Sequence, residues 1–136
     1  MMKSLNEFRR FVIWSEEMNK IQPLKKNQDF QHVFKKGQST ANRQFVIYVL
    51  KQREQAYARV GLSVSKKIGN AVTRNRIKRY IREGLRHYEN RFSTGIDCVI
   101  IARKPTSELT YWEMLKNLKH VLKKSDLLKM DKDDSR

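Results

Sequence analysis

Residues 59 to 88 change their apolar period once, and that change dictates a strand running into a helix. In Arg59-Val60-Gly61-Leu62-Ser63-Val64-Ser65-Lys66, Val60, Leu62 and Val64 alternate with Arg59, Gly61, Ser63 and Ser65. A period of two gives a β-strand one apolar face and one small, hydroxylated, basic face, open enough to admit a nucleic-acid backbone. From Ile77 the apolar residues recur at i, i+4, i+8 and i+11 as Ile77, Ile81, Leu85 and Tyr88, which is helical spacing. Gly69-Asn70 supplies the turn between the two elements, and either Asn70 or Thr73 can cap the helix by accepting from its free N–H groups.

The charge on this helix is one-sided. Arg74, Arg76, Lys78, Arg79, Arg82 and Arg86 fall within residues 74–86, where the only acid is Glu83. The apolar stripe faces one way, Asn75, Arg79, Arg82 and Arg86 gather opposite it, and Arg74 and Lys78 sit near the margin. A merely solvated helix mixes signs so that acids and bases pair at i, i+4. Here one face packs and the other meets polyanion. Arg outnumbers Lys there, and its planar fork suits bidentate phosphate contact and stacking.

The whole chain repeats that message. A formal net charge of +16 on 136 residues favours nucleic acid or an acidic membrane surface. The longest apolar run, Phe45 to Leu50, is too short for a span and no stretch resembles a signal peptide, so a cytoplasmic chain with no membrane role is expected. The length suits one domain with a modest core. Cys98 is the only cysteine, which excludes an internal disulfide, and its apolar neighbours make it a buried small residue rather than a nucleophile. His32, His87 and His120 are widely spread, so no intrinsic metal site is expected. Asp29, Glu54, Glu83, Glu89, Asp97, Glu108 and Glu113 show no motif, which weakens the reading of a self-contained nuclease.

Flanking elements follow from the same rules. Phe30, Val33 and Phe34 predict a short amphipathic helix over 26–36 with Gly37 as its stop, and periodicity alone makes both phenylalanines core residues. Phe45 to Leu50 reads as a strand covered in part on both faces; Tyr48 within it has a hydroxyl that favours a site reaching water. Residues 52 to 58 read as a hairpin loop, and 97 to 102 as the last strand. Thr110 with Glu113 has capping-box spacing, ahead of a closing helix with Tyr111, Met114, Leu115, Leu118, Val121 and Leu122 on one face. The order gives an α+β class, a small central sheet with helices packed on it. The tail, 125–136, reads as polar and frayed.

Gly61-Leu62-Ser63-Val64-Ser65-Lys66-Lys67, then Gly69-Asn70-Ala71-Val72 and Arg74-Asn75-Arg76-Ile77-Lys78-Arg79, resembles the signature of the bacterial ribonuclease P protein component. The likeness is specific because it joins a strand, a turn and a helix start in fixed order. Leu24-Lys25-Lys26, Asp29-Phe30, Val33-Phe34 and Gly37 resemble that family's first helix, Ala41 to Phe45 its next strand entry, and Ile100 to Pro105 its late strand and exit. The resemblance covers about Leu24 to Lys124, so a domain over 23–124 is expected between a 1–22 extension and the tail. Phe8, Phe11, Val12, Ile13 and Trp14 suit an amphipathic helix in that extension, yet a start at Met18, with residues 1–17 as translated upstream sequence, stands as an equal alternative.

The resemblance implies a ribosomal-protein-like fold with a left-handed βαβ crossover around the basic helix, where general rules predict a right-handed one. It implies an endoribonuclease ribonucleoprotein whose catalyst is an RNA subunit with bound Mg²⁺, so that the protein carries no catalytic residue. The protein's share is to bind that RNA and the 5′ leader of precursor transfer RNA, with no obligate protein partner evident. By resemblance and residue type, Lys66, Lys67, Asn70, Arg74, Asn75, Arg76, Lys78, Arg79 and Arg82 contact the catalytic RNA, and Phe30, Phe34, Tyr48, Arg59, Ser63 and Ser65 hold the leader. The competing reading is a structural ribosomal or RNA-chaperone module; a DNA-compacting protein lacks any supporting motif.

Overall fold

The computed structural model describes residues 20–129. The expectations for residues 1–19 and for 130–136 fall outside the described residues. The elements are β1 Ile21–Pro23, α1 Asn27–Lys36, β2 Gln38–Ala41, β3 Phe45–Lys51, β4 Ala58–Ser63, α2 Ala71–His87, β5 Ile96–Ala102 and α3 Tyr111–Lys124, with 3-10 turns at Glu89–Arg91 and Lys104–Glu108. The strands form one sheet in the order β1-β4-β5-β3-β2.

The last strand takes the centre. β5 runs antiparallel to β3 from Phe45↔Ala102 to Lys51↔Ile96, and parallel to β4 from Ala58↔Ile96 to Ser63↔Ile101. β4, α2 and β5 are therefore a βαβ unit. Residues 52 to 58 do not close a hairpin, because β3 and β4 flank β5 instead of pairing. Their polar backbone binds the entry to β5: Gln52 N–H donates to the Gly95 carbonyl at 2.7 Å, and Gly95 N–H donates to the Tyr57 carbonyl at 3.0 Å. Gly95 adopts φ 69°, a left-handed conformation that favours glycine. β5 is buried along its length except at Ile101, so the most apolar strand occupies the position with a neighbour on every side.

One face of the sheet carries the main core. Phe45 and Ile47 of β3, Ala58 and Val60 of β4, and Cys98 and Ile100 of β5 pack with Ile77, Ile81 and Leu85 of α2 and Met114, Leu118, Val121 and Leu122 of α3. Each such aliphatic side chain contributes about 1.5–3 kcal/mol when fully buried. A Cβ at Gly84 would stand 2.7 Å from Leu118 Cδ2, so the missing side chain lets α2 and α3 close on each other. Among the described residues, α1 is the helix that covers the other face, over a smaller cluster of Leu24, Val33 and Val99.

Helix ends follow their caps. Asn70 is the N-cap of α2, its side chain accepting from Thr73 N–H at 2.9 Å. Thr110 and Glu113 form a reciprocal capping box on α3. Gly37 ends α1 with φ −81°, so it is not there for a left-handed turn. A Cβ at that position would lie 2.5 Å from the Val33 carbonyl oxygen and 2.9 Å from that of Val49, so close approach both to the last turn of α1 and to β3 is what requires glycine. Two boundaries differ from expectation: Ile21 is fully buried within β1, and Leu127 and Leu128 lie in the main core with Leu128 bridging Phe92. Among the described residues no helix is long and apolar enough to cross a membrane.

Candidate nucleic-acid interface

Alternation along the strands decides what the thin face presents. On β4 it is Arg59, Gly61 and Ser63; opposite them on β5 stand Asp97, Val99 and Ile101, and on β3 Leu50, Tyr48 and Val46. α1 crosses the middle row, Gly61-Val99-Tyr48. A Cβ on Gly61 would stand 2.4 Å from Phe30 Cζ, so the bare glycine is the seat on which the Phe30 ring lies. Phe34 meets Phe30 at 6.4 Å between centroids and Tyr48 at 5.1 Å, edge to face. All three rings are half-buried, packed at their base against Leu24, Val33 and Val99. The expectation of core phenylalanines and that of a cleft both describe part of each ring. The next row, Ser63-Ile101-Val46, is also half-exposed.

Arg59 sits beside this cleft in a fixed position. Its Nε donates to Asp97 Oδ1 at 2.8 Å and its Nη2 to Asp97 Oδ2 at 2.6 Å, while Nη1 reaches Asp29 Oδ2 at 3.5 Å. Hydrogen bonding to Asp97 is the main cause that raises the Arg59 pKa above its ordinary value. Burial, the largest single influence on Asp97, pushes its carboxyl up, but hydrogen bonds from Arg59, Gln55 and Gln52 and the Arg59 charge together hold it below the ordinary range. The pair is an anchor for the sheet as much as a candidate contact. Sequence reasoning gave Asp97, Gln52 and Gln55 no role, because their partners lie 38 to 45 residues away.

The end of β4 leads directly to the basic helix. Ser65 builds the turn, its hydroxyl accepting from Lys67 N–H at 3.2 Å and its carbonyl from Ile68 N–H at 3.1 Å. Lys66 and Lys67 are exposed on that turn. The first turn of α2 contains no acid, so its positive end is not neutralised within the helix. Asn75 and Arg79 face solvent, and Arg74, Lys78 and Arg82 are half-buried along one flank. Arg74 Nε is buried without a hydrogen-bond partner. Arg76 turns toward the opposite flank, where its Nη2 donates to the Ser107 carbonyl at 2.7 Å and ties α2 to the 3-10 turn before α3. The candidates therefore form two surfaces joined at residues 64–69, with Arg59 and Arg76 also serving as tethers.

Cys98 is fully buried, and desolvation pushes its thiol well above the ordinary range. Among the described residues, no group of three or more His, Cys, Asp or Glu is placed to hold a metal ion. The carboxylates beside the cleft, Asp29 and Asp97, are both turned to Arg59. The arrangement offers binding groups: stacking rings, guanidinium forks and an uncompensated helix start.

Comparison with known proteins gives a consistent result. The sequence profile of the family described as Ribonuclease P matches residues 18–126. A Ribonuclease P protein component from Bacillus cereus (strain 03BB102) is 56% identical over 115 residues, which is 85% of this chain and 100% of that protein. One from Bacillus mycoides (strain KBAB4) is 55% identical over the same shares. Among solved structures, the RNase P protein of Staphylococcus aureus superposes with a TM-score of 0.75 at 45% identity, covering 79% of this chain and 97% of that one. The RNase P protein from Thermotoga maritima gives a TM-score of 0.69 at 34% identity, covering 76% and 96%.

Proposed function

The chain belongs to the ribonuclease P protein family, the protein part of the endoribonuclease that processes the 5′ end of transfer RNA, and from that premise we propose how its residues divide the work. The turn and start of α2, with Lys66, Lys67, Asn70, Arg74, Asn75, Arg76, Lys78, Arg79 and Arg82, bind the catalytic RNA. The cleft of Phe30, Phe34 and Tyr48, bordered by Arg59, Ser63 and Ser65, holds the single-stranded leader of the precursor. Family membership favours this reading over a ribosomal or chaperone module.

The observation that carries the division is the seat at Gly61. A half-exposed ring lies on a bare backbone beside two others, and the strand that provides the seat runs on into the basic helix start. Unpaired bases bind by stacking on such rings within a basic groove. Duplexed or backbone-only RNA would call for the cations without the rings. Mg²⁺ supplies charge neutralisation and activates the attacking water when bound, and it is held through the RNA subunit. The residues of this chain bind phosphates and orient the leader. Arg74 Nε, with no protein partner, gains a phosphate oxygen once the side chain turns outward.

The test is a cleavage assay with precursor transfer RNA at low Mg²⁺, using protein alone, RNA subunit alone, and both. Cleavage by the pair well above that by RNA alone is expected, and sustained turnover by nuclease-free protein alone would sink the reading. For the helix surface, Arg74→Ala with Arg76→Ala should reduce the salt slope of catalytic-RNA binding by about two, near one per lost phosphate contact.

A further inference from the structure

A second aromatic chain lies on the opposite flank of α2, away from the cleft. The Arg79 guanidinium stands 5.5 Å over the Tyr80 ring, Tyr80 meets Tyr111 at 5.4 Å, and Tyr111 meets Trp112 at 5.2 Å. The chain crosses from α2 to the first turn of α3 and ends in an indole that is 73% exposed. Its base is rigid: the Arg76–Ser107 hydrogen bond clamps the turn before α3 onto α2, and the capping box fixes the helix start that carries Tyr111 and Trp112. Isolated exposed hydrophobic residues are ordinary. An exposed indole continuous with two tyrosines and an arginine is a built platform.

We propose that Trp112 is a stacking site for an unpaired base of the catalytic RNA as that RNA lies along α2. The inference rests on α2 being the RNA-binding helix. Three features favour RNA over a protein partner. The platform begins at Arg79, one of the exposed cations on the helix. Lys116 lies one helical turn beyond Trp112 and is exposed. The chain's net charge of +16 draws polyanion to every open face. Glu113 accepts from the Thr110 backbone N–H and stays a carboxylate, so with the exposed Glu83 and Glu108 it turns phosphates toward Arg79 and Lys116 and leaves the uncharged indole to a base. Stacking on an aromatic ring tolerates any base, and the indole is the largest ring available.

Intrinsic fluorescence reports the site directly once Trp14→Phe removes the other tryptophan. Addition of the ribonuclease P RNA should quench Trp112 emission. Trp112→Leu, which keeps apolar bulk and removes the π surface, should weaken RNA binding about tenfold, and Trp112→Phe should restore most of it. Unchanged emission with unchanged affinity of Trp112→Leu overturns the proposal, as does self-association of the protein that Trp112→Leu abolishes. Arg74→Ala with Lys78→Ala, a pair that leaves the Arg76–Ser107 clamp beneath the platform intact, is run in parallel and separates the two levels. If that variant binds RNA normally, α2 is not the RNA helix. If it weakens while Trp112→Leu does not, only the stacking site fails.

Discussion

On one face of the sheet α2 and α3 close over Phe45, Ile47, Val60 and Ile100; on the other α1 covers Val99 and leaves Phe30, Phe34 and Tyr48 half-exposed. Both faces use the same strands, so the difference lies in what alternation puts on each. β4 gives the thick face Ala58, Val60 and Leu62, and the thin face Arg59, Gly61 and Ser63. Small and polar residues cannot build a second core of equal size, and the rings of α1 settle on glycine without being enclosed. Stability is concentrated on one side, and on the other the sheet carries the half-exposed rings of α1 and β3.

The largest expected effect tests the thick side. Ile81→Ala removes a fully buried side chain between α2 and the sheet and should cost about 3–4 kcal/mol in urea denaturation, with precursor affinity unchanged for the folded fraction. A loss below about 1 kcal/mol would mean that the core is not where the fold is held.

Next comes a polar part of the thin face that contributes to stability beside the small cluster of Leu24, Val33 and Val99. Asp97→Asn breaks the bidentate pair with Arg59 and should cost about 2 kcal/mol, below the usual loss for a buried pair because the Arg59 side chain is 29% exposed and regains water. The same pair sets an acid dependence. Since the folded Asp97 carboxyl lies below its ordinary range, its contribution is complete above about pH 4 and is lost as pH falls through the lower folded value. Wild type minus Asp97→Asn, measured between pH 7 and acid, should shrink in that window. A difference constant across it would remove the pair from the account.

The smallest effect bears on the open rings. Phe34→Leu or Tyr48→Leu keeps much of the volume and removes the π surface, which should cost on the order of 1 kcal/mol in binding a long-leader precursor. A precursor with a one-nucleotide leader should bind both variants like wild type. If thermal stability instead drops sharply and both precursors are affected alike, the rings belong to the core and the two faces are not different in kind.

Local rules reached the helices, their caps and most strands because those signals lie within a few residues: Asn70 three positions before Thr73, Thr110 three before Glu113, the stripe from Ile77 to Tyr88. They did not reach β2, since Gln38-Ser39-Thr40-Ala41 is a short polar edge strand with no alternation to read. They placed residues 52–58 in a hairpin because neighbours in sequence usually pair, and nothing local announces that β5 will come between. In the candidate site, the basic helix was legible from composition and spacing. The engagement of Arg59 by Asp97 and of Arg76 by Ser107 was not, because each joins residues more than 30 positions apart.

The position of β5 has a consequence for the order in which the molecule is made. During synthesis β1 to β4 and α2 all emerge before residue 96, yet the β2–β3 pair and the β1–β4 pair have nothing to join them into one sheet until β5 arrives and pairs with both β3 and β4. Val99, on which the α1 rings rest, and Ile100, on which the main core rests, arrive on that same strand. Long-range pairing of this kind is slow, and before it completes the chain is a strongly cationic polymer with its apolar strands exposed. A nascent chain halted at residue 95 would carry the three rings of the cleft and the whole basic helix, but not the strand that joins the two halves of the sheet beneath them.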